Sequence, residues 1–305
     1  MVYEKEINTI EVKNLTKDYG EGRGIFDVSF KILPGECFGF LGPNGAGKST
    51  TIRHLMGFSK PDSGECLINN LNPIKNHEEI FTEVGYLPGE ISLPNNFKGE
   101  EFFNYQAKLK KVKDLSYAKK IVERFKINLD LNCKDMSLGM KRRLAILTCF
   151  INNPKILILD EPTSGLDLEM QQEFLKLIGE KKKENATILF SSHLFNEVRD
   201  SCNRVAIIKK GKIVSTFAGE EYALPTSRKF NIKLKNYKDF LTFSRLSNKI
   251  GTILFKDSEE LNLTIKVELE NEPKFINLLA KYDLADFNEI KETLEEKFLS
   301  YYDKN

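Results

Sequence analysis

Apolar and polar positions alternate over residues 7–13 and 24–31, the period of half-buried strands, and 36–41 is a short, mostly apolar run that ends in a glycine-rich stretch. From 47 to 56 the spacing turns helical, and Gly57, Pro61 and Gly64 mark turns before a further short strand at 65–69. Helical periodicity returns over 100–150, where Phe102, Phe103 and Tyr105 are followed by Ala118, Ile121, Val122 and Phe125; this predicts an all-helical insertion. Within it the apolar run 144–151 suits a buried helix and falls far short of the roughly 20 residues that cross a bilayer.

Residues 155–160 read as a fully buried strand that leads into a helix over 168–183, and 187–192 as a second buried strand. Segments 205–208 and 212–217, joined through Lys210 and Gly211, form a hairpin pattern. Strands alternating with helices predict a mainly parallel sheet of the α/β class, with antiparallel leading and trailing hairpins. After Gly219 the texture changes. Strict alternation at Leu261, Leu263, Ile265, Val267 and Leu269 predicts a strand buried on one face, paired with 253–255, and helices are expected at 237–246 and 273–282. Thr293 with Glu296 makes a capping box for a last helix. The expected organisation is a large α/β domain over 1–219, with its helical subdomain at about 90–150, and a small two-layer α+β domain over 220–305.

Composition narrows the partners. The 305 residues include 46 basic and 44 acidic ones, a net charge of +2, so neither a nucleic-acid partner nor an acidic tail is indicated. Residues 220–305 are as balanced, with 14 basic and 16 acidic. The start lacks the basic-then-apolar pattern of a secretory signal, which places the expected location in the cytosol. Cys37, Cys66, Cys133, Cys149 and Cys202 are widely spaced, with no pair separated by two residues, and read as small buried apolar residues rather than a disulfide framework or zinc site.

The candidate chemistry begins at Gly42-Pro43-Asn44-Gly45-Ala46-Gly47-Lys48-Ser49, two glycines four apart followed by lysine and a hydroxyl residue, between a strand and a helix. Backbone N–H groups there can curl around a phosphate at the positive end of the helix, and side chains in place of the glycines would block that approach. Asn44, Gly45, Ala46, Gly47, Lys48, Ser49 and Thr50 are the expected phosphate cradle, with Lys48 bridging β- and γ-phosphates and Ser49 ligating Mg²⁺. Asp160 and Glu161 follow the apolar run 156–159, expected beside the phosphate-loop strand. Asp160 would then emerge at the carboxyl end to hold Mg²⁺, and Glu161 would serve as general base.

Together with Ser137-Leu138-Gly139-Met140 near a helix start, the run from Asp160 to Asp167, and Ser191-Ser192-His193, these elements resemble the ABC-type ATPase domain over roughly residues 7–218. The resemblance implies ATP and Mg²⁺ as ligands, Tyr19 stacked on adenine, and His193 as the switch histidine at the γ-phosphate. It also implies Asp167 facing a second subunit, and Ser137 and Gly139 closing over the ATP that the second subunit holds. Asp167 is equally suited to cap the helix after it. Two departures stand out: Leu138 and Met140 replace the family's commoner glycine and glutamine, and Gly89, followed by Glu90, replaces a glutamine that senses the metal. The chain further resembles exporter ATPases of the drug, bacteriocin and antibiotic-resistance type, which carry a small C-terminal domain.

That resemblance implies a homodimer on the inner face of the cell membrane, driving a separately encoded integral membrane permease. The segment between Gly89 and Met136 would pass on the motion; Ile91, Leu93, Phe97 and Phe102 are either exposed apolar positions that receive the permease or, the commoner case for any single one of them, core of the insertion itself. A soluble ABC ATPase of translation, repair or cluster assembly is the rival. Its two cassettes or long coiled coil have no counterpart here: the chain has one phosphate loop, and roughly 110 residues separate the loop from Asp160. A nucleotide-binding scaffold without hydrolysis is the third reading; Glu161 and His193 argue against it and Gly89 for it.

Overall fold

The computed structural model describes residues 9–218 and 227–290. Two compact units divide the chain, Met1–Gly219 and Glu220–Asn305. The first runs β1 (Ile10–Asp18), β2 (Gly24–Ile32), β3 (Cys37–Leu41), α1 (Lys48–Leu55), β4 (Ser63–Ile68), α2 (His77–Glu83), β5 (Val84–Leu87), α3 (Gly99–Leu109), α4 (Ser116–Arg124), α5 (Leu138–Cys149), β6 (Ile156–Asp160), α6 (Leu168–Lys183), β7 (Thr187–Ser192), α7 (Phe195–Ser201), β8 (Arg204–Lys209) and β9 (Lys212–Ala218).

The six-stranded sheet has the order β5-β6-β7-β3-β8-β9, parallel except for β9, which pairs antiparallel with β8. Every residue of β3, β6 and β7 is buried, as expected of strands covered on both faces. The sequence expectation that β6 adjoins the phosphate-loop strand is corrected: β7 lies between β6 and β3 and hydrogen-bonds to both. Apolar runs declare burial in a parallel sheet but not neighbour order. The leading hairpin also acquires a third strand, since β4 pairs with β1 to make a separate antiparallel sheet, β2-β1-β4. β1 runs on to Asp18 because a bulge around Asn14, at φ 46°, breaks its alternation and then lets pairing resume.

Glycine at position 39 lets α7 lie directly on the sheet. A β-carbon there would come within 2.2 Å of Val198 Cγ1 and 2.7 Å of Val205 Cγ2. Both α7 and α2 escaped the sequence reading, being only seven residues long. The five cysteines are buried and free, and Cys37 Sγ lies 3.7 Å from Cys202 Sγ. Ile91, Leu93, Phe97 and Phe102 are half-buried, neither the fully exposed positions of one expectation nor the closed core of the other; Phe97, for instance, packs edge-on against Tyr105.

The second unit contains β10 (Ser227–Leu234), α8 (Tyr237–Ser247), β11 (Thr252–Asp257), β12 (Asn262–Glu268), α9 (Glu272–Leu279) and β13 (Leu284–Ile290). Its antiparallel sheet has the order β11-β12-β10-β13, which with the βαββαβ succession is the split arrangement of ferredoxin-like domains. Phe240, Phe243, Phe275 and Leu279 from the helices close on Phe230, Ile232, Leu263, Ile265 and Val267 from the sheet. Leu269 falls outside the predicted alternation, in a 3₁₀ turn after β12. The helix announced by Thr293 and Glu296 lies outside the described residues.

Candidate nucleotide site

The phosphate loop leaves β3 at its carboxyl end and α1 begins at Lys48 with no side chain capping it, so its first N–H groups remain available to an anion. Gly47 has φ 111°, and a β-carbon on it would meet Ile25 Cγ2 at 2.7 Å, whereas one on Gly45 would meet nothing within 4 Å. Residues 43–50 together with Glu161 enclose a cradle of about 130 Å³. Lys48, 5% exposed, donates to Gly42 O at 2.6 Å and Pro43 O at 3.1 Å.

The displaced order of the sheet makes β7 the brace of the site. Gly42 N donates to Ser192 O at 3.2 Å on one side, and on the other Ser191 Oγ donates to Asp160 Oδ1 at 2.6 Å. Asp160 is 3% exposed, so its charge needs such a donor. Glu161 leaves the strand with φ 46°, in the left-handed region, and its N–H is held by Ser191 O at 3.2 Å and Ser191 Oγ at 3.1 Å. That turn throws the Glu161 carboxylate across the cradle. Its Oε1 lies 3.0 Å from Lys48 Nζ and its Oε2 2.7 Å from His193 Nδ1. Buried Oε1 has no hydrogen bond of its own, which marks it as an acceptor with capacity to spare.

Glu197, on α7, ties the turn after β6 to the last residue of β7. Thr163 Oγ1 donates to its Oε1 at 2.6 Å and Ser192 Oγ to its Oε2 at 2.7 Å. A cleft of about 670 Å³ opens from Asn44 and Ser49 past Asp160 and Glu161 to His193, with Gly89 and Glu90 on its far wall. Tyr86, also lining it, has its phenol pushed up to about 12 by burial; the Asp160 charge adds to the shift and Arg53 opposes it.

The donors fit the expected ligands. Ser49 and Asp160 offer hard oxygen atoms to one cleft, and among the described residues no group of three or more His, Cys, Asp or Glu forms a self-sufficient metal cage. Mg²⁺ suits such a partial set, because it is typically held by one or two protein oxygens together with substrate phosphates and water. Tyr19 is half-exposed just past β1, with Lys17 Nζ 5.9 Å from its ring centre. Ser137 caps α5, accepting from Met140 N at 3.3 Å, and Leu138 beside it is 62% exposed. A β-carbon on Gly139 would meet Gly165 O at 3.2 Å. Neither Tyr19 nor Ser137 nor Gly139 lines the cleft or the cradle. Asp167 caps α6 through Met170 N at 3.0 Å.

The ABC transporter family profile matches residues 25–164. Over 300 residues, 95% of this chain and 94% of the relative, the chain is 31% identical to an uncharacterized ABC transporter ATP-binding protein, YhcH, of Bacillus subtilis. The chain belongs to the ABC transporter ATP-binding proteins. Other members of this family similar to it include the bacitracin transport ATP-binding protein BcrA of Bacillus licheniformis, 36% identical over 67% of this chain and 68% of the relative. The ATP-binding subunit of an ABC transporter superposes with a TM-score of 0.65 at 28% identity, covering 70% of this chain and 91% of that one. A dimeric post-hydrolysis cassette, MJ0796 with ADP and phosphate, shares the fold at a TM-score of 0.61 and 22% identity, covering 69% and 98%. The fold is thus that of a P-loop ABC ATPase, and like its family the chain is an ATPase that binds ATP. Among the described residues no helix is long and apolar enough to cross a membrane.

Ser191, Glu197 and Arg142 went unassigned in the sequence reading. Ser191 and Glu197 were within reach of it, since they flank His193 by two and four residues, but their partners Asp160 and Thr163 lie some thirty residues upstream.

Proposed function

We propose that the chain is the ATP-hydrolysing subunit of an exporter, working at the cytoplasmic face of the membrane under a separately encoded permease, with two copies sandwiching ATP. The observation that carries this reading is the meeting of Asp160, Glu161 and His193 in one cleft at the carboxyl end of the parallel sheet, with Glu161 also paired to Lys48 of the adjoining phosphate cradle. The relatives' names lend the direction, with bacitracin transport, linearmycin resistance and Nod factor export among them.

In this mechanism residues 44–50 and the N-terminus of α1 take the phosphates, and Lys48 pairs with the β- and γ-oxygens. Ser49 and Asp160 hold Mg²⁺, which when bound neutralises phosphate charge. Lys48 cannot fully serve both Glu161 and a triphosphate, so substrate binding loosens the 3.0 Å pair and frees the carboxylate to accept a proton from the attacking water. His193 keeps that carboxylate oriented through its 2.7 Å contact and turns toward the γ-phosphate. Tyr19 stacks on adenine, and Ser137 and Gly139 of the twin subunit close the site.

Glu161→Gln removes the base and the negative charge that competes for Lys48. Phosphate release falls at least about 100-fold, while light scattering detects ATP-stabilised dimers that wild type does not accumulate. Wild-type turnover in this variant would overturn the assignment. Lys48→Ala lowers ATP affinity at least tenfold, about 1.4 kcal/mol, measured by equilibrium titration. Affinity capture from detergent-solubilised membranes is expected to bring down one polytopic membrane protein; ribosomes or DNA in its place would move the chain to the soluble, non-transport class.

A further inference from the structure

The helix that begins at Ser137 also reaches back toward this chain's own cleft. Arg142, about one turn into α5, is 2% exposed, and its guanidinium grips two consecutive carbonyls of the loop after β5: Nη1 donates to Pro88 O at 2.7 Å and Nη2 to Gly89 O at 2.6 Å. Its Nε is buried with no hydrogen-bond partner. Such a placement is costly for an arginine, which stays charged in proteins. Burial pulls its pKa down, while the charges of Asp160 and then Glu161 act in the opposite direction.

The gripped loop lies against the metal-side carboxylate. A β-carbon at position 89 would stand 3.1 Å from Asp160 Oδ2, and Gly89 and Asp160 line the same cleft. Glycine has no side chain to reach a ligand, so the order of this loop must come from its backbone. A planar guanidinium fork on successive carbonyls fixes a peptide plane in a way a point charge does not. Shifting the loop by 1 Å would carry both bonds past hydrogen-bonding range unless α5 moved with it.

We propose that Arg142 is a positioning residue. It clamps the Pro88–Gly89 backbone over Asp160 and so ties the helix headed by Ser137 and Gly139 to the state of the nucleotide site in the same subunit. The clamp does through α5 what a side chain at position 89 does not do in this chain. The inference rests on the reading of the cleft as an ATP site.

The test compares wild type with Arg142→Gln and Arg142→Lys in the full-length protein, measuring steady-state ATPase kinetics, Mg²⁺ dependence and amide exchange. In Arg142→Gln, kcat falls at least tenfold while KM for ATP stays within about threefold. The Mg²⁺ concentration for half-maximal activity rises, and exchange at Gly89, Glu90 and Ile91 speeds up at least tenfold with residues 144–147 still protected. Arg142→Lys keeps the charge and one donor nitrogen but not the planar fork, and recovers part of kcat and part of the protection. A kcat within twofold of wild type in Arg142→Gln, or unchanged exchange at 89–91, overturns the proposal. So does a lowered kcat with exchange raised throughout α5, which means general loosening. Should Arg142→Gln fail to fold, Arg142→Lys decides by the same two readouts, its loss of protection at 89–91 supporting the clamp and wild-type values refuting it. Wild-type protein that neither binds nor hydrolyses ATP takes down the site reading as well, whereas active wild type beside an equally active Arg142→Gln removes only the clamp.

Discussion

At the scale of single residues, the site is a set of charges each held by something specific. Glu161 occupies a left-handed backbone conformation that costs about 1–2 kcal/mol for a side chain with a β-carbon, and the gain is a carboxylate aimed at Lys48 and His193 rather than along β6. Asp160 depends on Ser191. Ser191→Ala removes the 2.6 Å charge-assisted bond, of the kind worth about 1.5–3 kcal/mol. Thermal unfolding should shift downward, and the Mg²⁺ requirement for ATPase activity should rise several-fold with Lys48-dependent ATP binding intact; titration calorimetry and a Mg²⁺-dependence curve check both. The phosphate loop was legible in the sequence because its chemistry is local: eight consecutive residues carry the turn, the glycines, the lysine and the hydroxyl. Arg142 was not, because its partners stand 53 and 54 residues away and a basic residue on a helix after Lys141 looks solvated.

Secondary elements show the same division. α6 and β7 matched the reading of their residues from end to end, since one carries an Asp167 cap and helical period and the other an Ile188–Phe190 apolar core flanked by small hydroxyl residues that a buried strand tolerates. β13 gave no such signal: after half-buried Leu284 the rest of it is exposed, and it is held as an edge strand by backbone pairing with β10. β10 itself hides its apolar set, Phe230, Ile232 and Leu234, among five basic and polar positions. The order β6-β7-β3 was likewise invisible, because two buried strands have the same composition whichever neighbours they take. Packing between α7 and β3 makes a sharp test. Gly39→Ala places a methyl group on Val198 and Val205 with no space to spare, so it destabilises by about 1–3 kcal/mol. A denaturant melt would register that loss, and an unchanged midpoint would show that α7 stands further off the sheet.

For the whole molecule, each of the two units has a core of its own. The nucleotide cleft and cradle draw every lining residue from the first. Truncation after Gly219 is therefore expected to leave ATP affinity within about threefold of the full chain, measured with a fluorescent nucleotide; a larger loss would mean that the second unit contributes to binding.

The strand wedged between β6 and β3 has one more effect. Serines 191 and 192 each serve a different half of the site, one steadying the acid at 160 and the other receiving the N–H of Gly42. Sliding β7 by a single position would turn the Ser191 hydroxyl away from Asp160 and the Ser192 hydroxyl away from Glu197, and would move the carbonyl that receives Gly42 out of register with it. One slip in one strand therefore disturbs the acid and the loop facing it at the same time, so the two halves of the site are assembled together or not at all.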